Sequence, residues 1–188
     1  GQHGLARRRM DTQSRPVGAT FNPGATGRFE AMKAARHRRN DFDVTNTVQV
    51  SSTAAVAQAV ESLFAEEWPG QPFAPLAQAF ETFEQLFAGR LPGYLGVDTV
   101  YHDRQHSLDA ALAMSRLLVG YERTAAADAK LGFDRAAMGM VTALFHDAGL
   151  VREESDTRRN GAEYTSTHVT RSARFLGRVL PAIGMAQW

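Results

Sequence analysis

Large apolar residues recur at helical spacing through most of the chain, and this periodicity limits the fold more than any other feature of the sequence. In the clearest stretch, four apolar residues follow one another at intervals of three or four: Leu76, Phe80, Phe83 and Phe87. Such spacing places side chains on one face of a helix, where an aromatic stripe packs in a core. No stretch alternates apolar and polar residues as a strand does. The sequence therefore predicts an all-α fold.

Capping and helix-breaking residues set the expected bounds of the helices. Hydroxyl, Asp and Asn side chains favour helix starts, and Gly or Pro favours their ends. Asp134 and Asn160 are the expected caps of the last two helices, and Gly149 is expected just past the end of the fourth. The expected helices with their caps run from Ser51 to Trp68, Pro75 to Phe87, Val100 to Tyr121, Asp134 to Asp147 and Asn160 to Pro181.

Charge divides the chain into two parts, although its formal net charge is only +1. Residues 1–40 contain nine Lys and Arg against two acidic residues, whereas residues 41–188 contain twelve against eighteen. Residues 1–48 also have few large apolar side chains, so they cannot bury enough surface to offset chain entropy. We expect a basic arm over residues 1–48, disordered or extended, and a helical domain over residues 49–188.

The arm contains one stretch that suits a specific partner. Residues 29–39 (FEAMKAARHRR) fit a short basic helix that binds an acidic partner, a nucleic acid or a membrane surface. A solvated tail is the simpler interpretation of such a charge run.

The absence of cysteine and of long apolar runs limits the classes of protein to which the chain can belong. The chain has no cysteine, so it can form neither a disulfide nor a thiolate zinc site, and a metal would have to be bound by histidine and carboxylate. No apolar run reaches the roughly 20 residues of a membrane-spanning helix, and the first residues lack the apolar segment of a signal peptide. We therefore expect a cytoplasmic protein.

Four of the six histidines fall in segments that the pattern predicts to be helical. His102 and His106 are four residues apart, which would make them neighbours on one helical face. The dipeptide His146-Asp147 ends an apolar helix, and His168 follows in the next predicted helix. These residues could also have no role in metal binding. His102 and His106 would then lie on a polar helix face, and His146-Asp147 would lie at a helix C-terminus. A shared divalent cation explains the distribution better, because imidazole and carboxylate are both ligands of such ions.

The motif Tyr101-His102-x-x-x-His106-x-x-Asp109, followed by His146-Asp147, resembles the HD-domain metal-dependent phosphohydrolases. Within that superfamily it is most similar to the cyclic-nucleotide phosphodiesterase type, and the match covers about residues 95–180. The resemblance implies a helical bundle with one or two divalent cations (Mn, Zn, Fe or Mg). It also implies hydrolysis of a phosphodiester or phosphomonoester of a nucleotide, including a cyclic nucleotide, by metal-activated hydroxide.

The resemblance also implies a role for each residue. His106, His146 and Asp147 would be metal ligands, and Asp147 would bridge two cations and serve catalysis directly. His102 would be the general acid that protonates the leaving group. The resemblance implies roles for three further residues. Asp109 would orient an imidazole by accepting a hydrogen bond from it, and His168 and Glu163 would lie near a second cation or its water.

The sequence departs from the family pattern at two points. Asp103 stands where the family has Asn. The family also completes its metal site with an aspartate on a later helix, yet no Asp follows Asp156. We expect that ligand to lie beyond Trp188; an unusual ligand or a degenerate site are the alternatives.

Two other functions fit parts of the pattern. A degenerate HD domain would bind a nucleotide or a protein partner without hydrolysis. A zinc peptidase-like enzyme would use His102-Asp103-x-x-His106 as a variant of the His-Glu-x-x-His motif, but that reading leaves His146-Asp147 unexplained. Arg171, Arg174 and Arg178 form a row that either faces a phosphate or lies on the solvated face of the last helix.

Overall fold

The computed structural model describes residues 40–185, and this part of the chain is all-α, as predicted. It contains no β-strand between residues 40 and 185, only two isolated β-bridges, Phe42 with Gln49 and Tyr94 with Glu153. Residues 40–185 form five α-helices: α1 (Thr53–Glu67), α2 (Ala74–Phe87), α3 (Arg104–Thr124), α4 (Gly132–Phe145) and α5 (His168–Ala182). Within the same range, three short 3-10 helices connect these longer elements: Ala127–Ala129, Ala148–Leu150 and Gly161–Tyr164.

The core lies where α3 packs along α1 and α4, with α2 packed against both α4 and α1. The aromatic stripe predicted on α2 is buried there. The ring of Phe83 lies 4.3 Å from that of Phe87 and 5.9 Å from that of Phe145, centroid to centroid. Phe145 also lies 5.6 Å from Phe175 of α5. Because Phe145 directly precedes His146, this packing anchors the His-Asp dipeptide to the core.

Residues 40–48, which the sequence analysis assigned to the arm, form a turn that packs on α3. Asp43 is buried, and its carboxylate accepts hydrogen bonds from the Thr45 hydroxyl (2.5 Å) and the Val48 amide (2.8 Å). Arg116 of α3 donates to the same carboxylate at 2.8 Å. Polar contacts, which hydrophobic patterning does not detect, attach this segment to the body. The remainder of the predicted arm, with the basic stretch 29–39, lies outside the described residues.

The start of α3 differs from the prediction of Val100. The carboxylate of Asp103 accepts a hydrogen bond from the amide of His106 at 2.9 Å, so Asp103 caps the helix and Arg104 begins it. His102 therefore precedes the helix. The expectation that His102 and His106 share one helical face is wrong, although the bend at Asp103 still brings their rings to 5.5 Å.

The last two helices also begin differently. Asn160 does cap an element, but that element is the 3-10 helix Gly161–Tyr164, and α5 begins only at His168. The start of α4 has no side-chain cap of its own, and Asp134 lies within its first turn. A residue of α3 acts there instead, because the Glu122 carboxylate accepts the amide hydrogen of Leu131 at 2.8 Å.

The turn after His146-Asp147 is fastened to α5 by three hydrogen bonds. The Ser172 hydroxyl accepts from the Gly149 amide (2.8 Å) and donates to the His146 carbonyl (2.6 Å). Arg171 donates to the Gly149 carbonyl at 2.7 Å. Gly149 is not in the left-handed conformation expected of a residue that ends a helix. It is required for close packing, because a Cβ there would lie 2.0 Å from the His168 carbonyl oxygen.

No helix between residues 40 and 185 has the length and apolar character needed to span a lipid bilayer.

We predict that Gly149→Ala lowers the free energy of unfolding by about 1–3 kcal/mol, the usual cost of overpacking. The added methyl would also lie 2.7 Å from Cβ of Arg171, so α5 has to move away from the turn. Urea unfolding in the presence of a chelator measures the effect without a metal contribution. The matched control is Gly177→Ala, on α5 itself, where an added Cβ meets nothing within 4 Å. That change should be stabilising by about 0.5–1 kcal/mol. Equal unfolding midpoints for Gly149→Ala and wild type would contradict the close packing.

We predict that Asp43→Asn lowers the melting temperature at pH 7 and that this difference shrinks in acid. The hydrogen bonds from Thr45 and Val48, helped by Arg116 and opposed by burial, hold the pKa of Asp43 well below its usual range. A carboxylate with a depressed folded-state pKa stabilises the fold above the unfolded pKa of about 3.9, and loses that contribution as the pH falls towards its folded pKa. Thermal melts from pH 7 to pH 2 test this, with the exposed Asp41→Asn as the control. The prediction would be refuted if the difference in melting temperature between wild type and Asp43→Asn did not depend on pH.

Candidate metal centre

A buried carboxylate lies at the centre of the candidate site. Asp147 is 1 % exposed, and its two oxygens face different histidines. Oδ2 lies 2.8 Å from Nδ1 of His102, 3.1 Å from Nε2 of His146 and 3.6 Å from Nε2 of His106. Oδ1 lies 3.7 Å from Nε2 of His168. The structure thus brings together the five residues that the sequence analysis singled out as metal ligands or general acid.

Four different places in the fold supply the histidines. His102 precedes the Asp103 cap and His106 lies in the first turn of α3, so the cap fixes both. His146 directly follows α4, and His168 is the first residue of α5. The site therefore depends on the packing of α3, α4 and α5 together.

Backbone hydrogen bonds set the tautomers of two histidines. Nδ1 of His146 lies 2.8 Å from the Ala143 carbonyl, and Nδ1 of His168 lies 2.7 Å from the Thr165 carbonyl. A carbonyl can only accept, so each Nδ1 carries the proton. When these rings are neutral, Nε2 carries no proton and its lone pair can bind a cation. The Nε2 atoms of both histidines face Asp147. An Nδ1 donor to a backbone carbonyl is the usual arrangement behind a metal-binding imidazole.

The cluster has more acceptors than donors. Nε2 of His146 and Nε2 of His106 are only 3.3 Å apart. Oδ1 of Asp147 is buried and has no hydrogen-bond partner within residues 40–185. Buried polar atoms without a partner are rare in folded proteins. A cation would supply the missing partner, so the residues present fit a metal ion.

The ligand atoms are close enough for one ion to reach several of them. The atoms that His102, His106 and Asp147 offer all lie within 4.8 Å of one another, so this group could hold a metal ion. His106, His146 and Asp147 form an overlapping group in which the three distances are 3.3, 3.6 and 3.1 Å. Nitrogen and oxygen donors of these types suit divalent cations such as zinc, iron and manganese.

Electrostatics favour an ionised carboxylate in this cluster. Burial by itself would raise the pKa of Asp147, but hydrogen bonds from His146 and His102 outweigh it and lower the pKa to about 2. The hydrogen bond to Asp147 raises the pKa of His146, against the opposing effect of burial. A proton and a cation therefore compete for Nε2 of His146, as is usual for metal-binding imidazoles.

The two supporting residues of the prediction lie in different surroundings. Asp109 is half-buried, one turn after His106 on α3. Glu163 is outside the cluster: its carboxylate accepts from the Arg159 amide at 3.2 Å and forms an ion pair with the Arg159 guanidinium at 3.7 Å.

The groups that orient the cluster through hydrogen bonds to its outer side were not predicted from the sequence. Both carbonyl acceptors, Ala143 and Thr165, come three residues before the histidine that they bind. The last carbonyls of a helix lack intrahelical partners, so a histidine just after α4 was a detectable signal for Ala143. Ser172 had no such signal, because its partners are 23 and 26 residues away in sequence.

Comparisons with known proteins identify no relative of this chain: no protein family, no curated protein and no solved structure matches it.

Proposed function

We propose that this protein is a divalent-metal-dependent phosphohydrolase of the HD-domain type, acting on a phosphate ester of a nucleotide. One observation carries the proposal: the buried Asp147 carboxylate faces four imidazole nitrogens, and one of its oxygens has no hydrogen-bond partner among residues 40–185. The resemblance of the motif to HD-domain phosphohydrolases supplies the reaction class.

In the proposed site, His106, His146 and Asp147 hold the first cation. The Oδ1 side of Asp147, with His168, is the place for a second one. When bound, such a cation lowers the pKa of water and offsets negative charge on the phosphoryl group. The tethers from Ala143, Thr165 and Ser172 keep the imidazoles and the carboxylate in position before any ligand arrives.

His102 is suited to deliver a proton to the leaving group. Asp147 accepts from its Nδ1 at 2.8 Å, which leaves Nε2, on the opposite side of the ring, as the atom that can carry a proton to the substrate. Its side chain is 39 % exposed, more than those of His106, His146 or His168. A histidine oriented by a carboxylate and open to solvent is a typical general acid.

A degenerate HD domain that binds a ligand without hydrolysis is the second candidate. This candidate is favoured because the cluster has few carboxylates. Within the described part of the chain, Asp147 is the one carboxylate that is grouped with the histidines as a potential metal ligand. The peptidase-like alternative loses its support, because its motif requires both histidines on one helix and His102 precedes α3.

We predict that the purified protein retains one or two divalent ions per chain and that His106→Ala and Asp147→Ala each abolish this binding. Both changes remove a donor atom that the other ligands cannot replace. Elemental analysis after gel filtration measures the content. His37→Ala, in the basic stretch 29–39 and not among the four histidines of the predicted site, is the control. A metal at 100 times its Kd should also stabilise the wild type by about 2.7 kcal/mol and leave Asp147→Ala unchanged. Wild-type protein that neither retains metal nor is stabilised by added manganese, zinc or iron would rule out the centre.

We predict that His102→Gln keeps its metal but loses turnover by about 10²–10⁴-fold on substrates with a poor leaving group. An alkoxide has to be protonated as it leaves, whereas p-nitrophenolate departs without help. Rates with manganese on a nucleoside 3′,5′-cyclic monophosphate and on bis-p-nitrophenyl phosphate separate the two cases. An equal loss on both substrates, or loss of the metal, would make His102 a ligand instead. Bound metal with no turnover of any phosphate ester by the wild type would favour the degenerate domain.

A further inference from the structure

A cavity of about 160 Å³ lies beside α5, and its lining includes the turn that follows Asp147. One wall is the row of arginines that the sequence analysis left open between a phosphate-binding row and a solvated face. Tyr94 and Glu153, which are joined by an isolated β-bridge, also line the cavity. The backbone of Ala148 and Gly149 contributes to the lining, whereas none of the four histidines does.

The cavity is rich in positive charge. Arg171, Arg174 and Arg178 all line it, and Glu153 is the one acidic residue in its lining. The Arg174 side chain is exposed, and its guanidinium makes no hydrogen bond or ion pair with the part of the chain that the structure describes. Arg178 donates to the Tyr94 hydroxyl at 2.7 Å and has no carboxylate partner among residues 40–185. Arg171 lies near the Asp156 carboxylate, which its charge stabilises, so Arg174 and Arg178 are the two arginines that are available to attract an anion.

One of the three arginines is held in place by the fold. The guanidinium of Arg171 lies 3.5 Å from the ring centroid of Tyr164 and donates to the carbonyls of Gly149 (2.7 Å) and Val151 (3.1 Å). Its charge therefore has a fixed position in the cavity wall. The other two arginines lie on the same helix, three and seven residues later, so they can close on a ligand from one side.

We propose that this cavity binds the phosphate group of a small anion. Guanidinium forks bind phosphate oxygens through charge-assisted hydrogen bonds, and the Tyr94 hydroxyl adds a neutral donor. The volume is well below the roughly 300 Å³ at which pockets for drug-sized ligands begin, so the cavity is suited to a phosphate with a few attached atoms. The site is independent of the metal centre and of the function proposed for it.

Titration of the ¹⁵N-labelled full-length chain with inorganic phosphate, at constant ionic strength held with KCl, tests the proposal. The amide signals of Gly149 and Val151 should shift in a saturable way. Each lost arginine should weaken binding by about tenfold, the effect of one charge-assisted hydrogen bond, so Arg174→Gln with Arg178→Gln should raise the Kd by about a hundredfold. The matched control is Arg135→Gln, an exposed arginine on α4, which should leave the Kd unchanged.

A second titration, with glycerol 3-phosphate, distinguishes the two sources of the group. Tighter binding than that of inorganic phosphate identifies a small phosphate ester as the ligand, and weaker binding identifies phosphate itself. The proposal is overturned if no shift saturates, or if the double variant and Arg135→Gln weaken binding equally. Both substituted arginines are exposed, so the variants should fold, and thermal melts of each variant check this.

Discussion

The ionised carboxylate of Asp147 is buried among imidazoles, and the packing of α3, α4 and α5 depends on satisfying it. An isolated buried charge costs several kcal/mol, and the chain offsets that cost with a hydrogen bond from His102 and, when His146 is protonated, with an ion pair to its Nε2. These partners come from opposite ends of different helices, so the carboxylate can be satisfied only when the helices are in place. The core beneath it, centred on Phe83 and Phe145, supplies the apolar burial that holds them there.

The proposed metal centre and the proposed phosphate cavity share one structural element, the turn that follows Asp147. On one side of this turn His146 and Asp147 face the other histidines. On the other side the Gly149 carbonyl accepts from Arg171, which lines the cavity. Two sites with different chemistry are thus built on the two sides of a few residues of backbone.

Local patterns predicted well whatever depends on neighbours in sequence. The apolar spacing of α1 and α2 and the convergence of the histidine motifs with His146-Asp147 could be read from the chain. The start of α3 was misplaced at Val100, because the Asp103 carboxylate caps the helix and the apolar spacing carries no signal for that hydrogen bond. The attachment of residues 40–48 was missed for another reason: Arg116, 73 residues away from Asp43, completes it. Contacts of that range leave no mark in local composition.

The fastening of the Gly149 turn to α5 has a kinetic consequence. Ser172 and Arg171 tie His146 and Gly149 to the same helix that begins with His168. Separation of α5 from the turn breaks these tethers and displaces His168 in a single event. Hydrogen exchange of the α5 amides would report the rate of that opening, and with it the rate at which the proposed centre would lose its His168 side.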